Sequence, residues 1–81
     1  MKVLFSVSAA EFFESLPYRV RDRALEVLDL IVLFPEMFPL RQRGLLAGYR
    51  SFPVRSYLFY YSVSSSEIRI IAILPGRMEE A

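Results

Sequence analysis

From Gly48 to Arg77 the chain lays down three strand-like runs in close succession, divided by short turn signals. Tyr49 to Arg55 is interrupted by Pro53, which cannot donate to a strand ladder and so marks an edge or a bulge. Ser56 to Val63 alternates Tyr57, Phe59, Tyr61 and Val63 against Ser56, Leu58, Tyr60 and Ser62. After the tight turn Ser64-Ser65-Ser66, the run Glu67 to Leu74 is rich in isoleucine. Its Ile70-Ile71-Ala72-Ile73-Leu74 segment is apolar on both parities, as a strand in mid-sheet requires. Pro75-Gly76 ends it.

The first half supplies the cover for this sheet. Met1 to Val7 reads as a short, mostly covered strand. Ser8 followed three residues later by Glu11 forms a capping box, with Val7 and Phe12 placed as a hydrophobic staple, so a helix is predicted from Ala9 to about Ser15. Pro17 stops it and can occupy the first turn of a second helix. There Val20, Ala24, Val27, Leu28 and Ile31 fall on one face, and the helix ends near Phe34, before Pro35. Pro35 to Pro39 is a crossover, and Leu40 to Gly48 is a loop that delivers Arg41 and Arg43 to one edge. The order β-α-α-β-β-β predicts an α+β domain, a helical hairpin on a small, mostly antiparallel sheet, with the first strand beside a later one. Residues 1–81 are expected to form one domain, whose core draws on 54% apolar residues, seven Phe and five Tyr.

Several kinds of chemistry are excluded at once. The chain has no histidine and no cysteine, so the groups best suited to proton transfer or nucleophilic attack near neutral pH are missing. No carboxylate cluster has metal-ligand spacing, and none of Gly44, Gly48 and Gly76 belongs to a phosphate loop, so neither metal nor cofactor is expected. The longest apolar stretch, Leu28 to Phe34, contains Asp29 and falls far short of the ~20 residues that cross a bilayer. No membrane span and no secretory leader are expected, which points to the cytoplasm. Net charge is only +1, yet between Met37 and Ser66 there are four arginines and no acid.

Those arginines are the first candidate site. Of Arg41, Arg43, Arg50, Arg55, Arg69 and Arg77, five fall after the helices at strand ends or loops, where guanidinium forks match phosphate or carboxylate. They are expected to gather at one rim as anchors for another macromolecule; the plainer alternative is a charged edge that blocks sheet-to-sheet pairing. Tyr57, Phe59 and Tyr61 share a parity and are expected beneath the helices, which leaves Tyr60 as the aromatic presented to a partner. RNA cleavage would need a general base. Arginine cannot serve as one, and no Glu, Tyr or Lys2 pair stands at a telling spacing.

Three segments together carry a family resemblance: Gly48-Tyr49-Arg50-Ser51-Phe52-Pro53-Val54, Tyr57-Leu58-Phe59-Tyr60-Tyr61-Ser62-Val63, and Ile68 to Leu74 leading into Pro75-Gly76-Arg77. With Phe5-Ser6, the helix hairpin and Pro35-Glu36-Met37 upstream, the chain resembles the RelE/ParE superfamily of toxins from bacterial type II toxin–antitoxin modules. The resemblance implies a growth inhibitor neutralised by a cognate antitoxin. Similarity to ParE implies poisoning of DNA gyrase without catalysis. Similarity to RelE implies metal-free cutting of mRNA on the ribosome, with Arg50 and Arg77 as the catalytic positions that match. Apart from the resemblance, the arginine and aromatic patterns make Arg41, Arg43, Arg50, Arg55, Arg77 and Tyr60 the candidate partner- or phosphate-binding residues. The sequence departs from the nucleases at Leu58, where they carry arginine, at Pro75 in place of a common histidine, and at Met78 in place of a second basic residue. With Ala81 last, their terminal tyrosine is expected to be missing. The Arg-Ser-Phe-Pro-Val and Tyr-Leu-Phe-Tyr-Tyr runs look more like ParE, a binding protein rather than an enzyme.

Overall fold

The computed structural model describes residues 1–76. Strand β1 (Lys2–Phe5) leads into helices α1 (Val7–Ser15) and α2 (Tyr18–Leu33), and strands β2 (Arg50–Val54), β3 (Tyr57–Val63) and β4 (Glu67–Pro75) follow. The four strands form one sheet in the order β1-β4-β3-β2. β1 runs parallel to β4, and the other two pairings are antiparallel. This is the predicted α+β architecture. The first strand does join a later one, and Pro53 does lie on an edge strand, where its missing N–H leaves no ladder position empty.

The first helix starts earlier than the Ser8 box predicts. Ser6, in extended conformation (φ −63°, ψ 161°), is the N-cap, and its Oγ accepts the Ala9 N–H at 3.2 Å. Its own N–H remains in the sheet, donating to the Ile70 carbonyl at 2.9 Å. Strand thus passes into helix with no linker, Ser8 becomes a first-turn residue, and the expected staple is lost because Val7 is 78% exposed. Pro17 caps α2 rather than entering its first turn, and its carbonyl receives the Val20 and Arg21 N–H groups.

Both helices cover one face of the sheet. The residues α2 buries are Val20, Ala24, Val27, Leu28 and Ile31, the predicted face. They meet a core of Phe52, Val54, Phe59, Tyr61, Ile68, Ile70 and Ile73. Phe52 stacks on Phe59 with centroids 5.1 Å apart, and Phe13 of α1 meets Phe59 edge-on at 6.3 Å. Ile68, Ile70 and Ile73 share that face only because β4 carries a bulge. Tyr60 pairs with Ala72 and Tyr61 with Ile70, so Ile71 is the extra residue and side-chain parity flips there.

At the other hairpin, Arg55 and Ser56 form a two-residue loop in which Arg55 adopts φ 55°. Gly76 passes so close that its N–H donates to the Ser56 carbonyl at 2.6 Å, and a Cβ would come within 3.3 Å of that oxygen.

Candidate functional site

Register fixes what each face of the sheet presents. Cross-strand partners point the same way. The rows Pro53–Leu58–Leu74 and Ser51–Tyr60–Ala72 therefore lie on the face turned away from the helices. Leu4 and Arg69, paired in the parallel ladder, continue that outer face toward β1. It is a mainly apolar platform with Leu58 and Ala72 half-buried and Leu74 36% exposed.

Tyr60 sits at its centre and is 0% exposed, which corrects the expectation that it is presented to a partner. The Arg41 guanidinium lies over its ring, 5.4 Å from the centroid. The loop holds Arg41 there through backbone bonds: its N–H donates to the Tyr49 carbonyl, and its carbonyl accepts the Gly48 N–H at 2.9 Å. Gly48, at φ 89°, supplies the left-handed conformation that closes this ring. Tyr60 is thus the base on which a cation rests. Arg69 is held by Glu67, and Arg43 is exposed on the loop.

A second site lies at the Pro35 end of the sheet. Arg50 pairs with Tyr61 and so points to the helix side, where its Nη1 donates to the Phe38 carbonyl at 2.6 Å. The Tyr61 hydroxyl donates to the Pro35 carbonyl at 3.1 Å. Burial pushes the Tyr61 hydroxyl above its usual 10.0, against the opposing pull of the Arg50 charge and the Phe38 backbone, so it stays protonated near neutral pH. Arg50 and Tyr61, with Glu36, Leu40, Ser62 and Ser65, line a recess of about 370 Å³.

Among the described residues the arginines therefore do not gather at one rim. Arg41 lies on the outer face, Arg50 on the helix side, and Arg55 at the far end of the strand that Arg50 begins. At the rise of a β-strand, five residues separate those last two by roughly 16 Å. Arg77 lies outside the described residues. Among the described residues no His, Cys, Asp or Glu cluster could hold a metal ion, and no helix is long and apolar enough to cross a membrane.

The sequence model for the ParE toxin of the type II toxin–antitoxin system parDE matches residues 3–80. The chain belongs to the ParE toxin family. It is a toxin of a type II toxin–antitoxin module. Its fold is shared with other such proteins. The archaeal RelE–RelB complex from Pyrococcus horikoshii OT3 matches with TM-score 0.75 and 24% identity, over 93% of this chain and 93% of that one. A YoeB/ParE toxin from Agrobacterium tumefaciens matches with TM-score 0.74 and 22% identity, over 93% of this chain and 98% of that one. No curated protein sequence matches.

On this ParE-family fold, sequence reasoning overlooked the outer platform as a surface, although Leu58 within the alternating strand was its visible signal. It also overlooked Glu36, Ser62 and Ser65 beside Arg50. No local pattern marks them, since the recess joins the crossover to a hairpin that follows much later in the chain.

Proposed function

We propose that residues 1–81 act as one toxin domain that a cognate antitoxin neutralises, and that it inhibits growth by binding DNA gyrase rather than by cutting RNA. The observation that carries this reading is the apolar outer face, Leu4, Leu58, Ala72 and Leu74. Apolar surface gains free energy when buried against a protein, about 25 cal/mol per Å², whereas it gives phosphates nothing to neutralise. On that face Arg69 is tied to Glu67 and Arg41 rests on Tyr60. Arg41, Arg43 and Arg55 would then act at the edges of a protein contact, where they set orientation and rate more than affinity.

The proton chemistry points the same way. Arg50 cannot accept a proton, and Tyr61 is buried and already donating to a carbonyl. The antitoxin follows from the family and is supported by the RelE–RelB complex of the Pyrococcus fold.

The test is purified protein added to gyrase. Saturating toxin should block supercoiling and stabilise gyrase-dependent DNA cleavage; no effect on either activity rejects the reading. Codon-position cuts in translated mRNA, read by primer extension and lost in Arg77→Ala, would instead assign the RelE-like endonuclease. Robust growth of several hosts after induction would mean a member that binds its partner without toxicity.

A further inference from the structure

Arg50 is a half-buried cation with no carboxylate partner among the described residues. Its bond to the Phe38 carbonyl fixes the guanidinium in place, and a guanidinium has several further N–H donors to offer. Ser62 and Ser65 add polar lining to the same recess. Glu36, exposed and also lining the recess, supplies the opposite charge without pairing with Arg50. Such a recess is matched to a group with one negative charge. A phosphate dianion would gain from Arg50 but meet stronger repulsion from Glu36.

Glu36, Val63 and Ser64 form a shared wall, because they also line an apolar hollow of about 530 Å³ with Met1, Leu33, Phe34 and Met37. Leu33 is 68% exposed and Phe34 60%, a great deal of bare apolar surface for a helix end. A charged recess and an apolar hollow thus stand side by side.

We propose that this double cavity is the docking site for a segment of the neutralising antitoxin in which a bulky apolar side chain fills the Leu33–Met37 hollow and an adjacent Asp or Glu carboxylate enters the recess to bind Arg50. The proposal rests on the neutralisation reading above and adds the site and the chemistry of the segment. Arg50 provides the fork, polar groups of the lining serines add donors for the carboxylate, and Glu36 excludes more highly charged anions or accepts from a donor beside the acid.

The experiment uses the whole chain and two blocked dipeptides, acetyl-Leu-Glu-amide and acetyl-Leu-Gln-amide, with inorganic phosphate in parallel, followed by ¹H–¹⁵N NMR. The Glu peptide should shift the Arg50 Nε–H and the Ser62 and Ser65 amides saturably, in the millimolar range expected of so small a ligand. The Gln peptide should bind about tenfold more weakly, since hydrogen bonds to a charged group are roughly twice as strong as neutral ones. Arg50→Lys should weaken the Glu peptide, and Glu36→Gln, on the surface, should raise phosphate binding. Equal binding of the two peptides, tighter binding of phosphate, or shifts confined to other surfaces would overturn the proposal.

The antitoxin itself separates the proposal from the reading beneath it. Phe34→Asp and Arg50→Gln should each weaken its affinity about tenfold or more, as loss of an interface anchor does. An antitoxin that binds both folded variants as tightly as wild type would overturn the docking site and leave neutralisation standing. A wild-type chain that binds the peptides but no antitoxin would overturn the neutralisation reading and, with it, the proposed occupant.

Discussion

Arg50 and Tyr61 hold the turn after α2 against the sheet, one bonding the Phe38 carbonyl and the other the Pro35 carbonyl. Tyr61→Phe should lower stability by about 1 kcal/mol near neutral pH, the usual net value of one hydrogen bond, as read by urea denaturation. Because burial raises the Tyr61 pKa in the folded state, its contribution is complete below the ordinary value of 10.0 and falls away as pH rises through the higher folded value. The gap between wild type and Tyr61→Phe should therefore narrow in alkali. Arg55, at φ 55° in the β2–β3 loop, is a side chain in a region where glycine is at ease. Arg55→Gly should raise the thermal midpoint, where an exposed loop substitution elsewhere would leave it flat. Arg50 was legible in the sequence as a strand residue with a family match, but its bond to a carbonyl twelve residues away was not. Tyr60 was assigned the correct face by alternation; that a loop brings Arg41 over its ring is something no periodicity encodes.

Helix α2 was legible down to its buried positions because a 3.6-residue period is local information. The start of α1 was not. Ser6 and Ser8 are both credible caps, and the choice falls to Ser6 through the β1–β4 ladder, in which its N–H meets the Ile70 carbonyl. Ser6→Ala should cost about 1 kcal/mol in a chemical melt, as loss of an N-cap does, while Ser8→Ala should stay within about 0.5 kcal/mol. A larger loss in Ser8→Ala would return the cap to Ser8. The bulge at Ile71 was equally hidden, since Ile70 to Leu74 is apolar at every position and gives no clue where parity changes. It matters for the proposed contact, because that flip sends Ala72 and Leu74 to the outer face while Ile73 stays in the core.

Taken as a whole, the chain places two kinds of surface on opposite sides of one thin sheet. The helix side ends in a charged recess beside an apolar hollow, and the far side is a platform of Leu58, Ala72 and Leu74 around a buried tyrosine. The sequence showed the fold and the supply of arginine, but not that the cations would be distributed among separate sites, which is a property of register and loop closure. The proposed mode of action for a toxin built this way is contact with its target. The most direct check is gyrase supercoiling measured with wild type beside Leu74→Asp, a variant that puts a charge on the exposed platform and leaves the core untouched. Wild type should inhibit, and a Leu74→Asp protein of unchanged circular dichroism should lose that inhibition by about tenfold or more. Inhibition equal in the two proteins, or absent from wild type, would contradict the proposed mode of action.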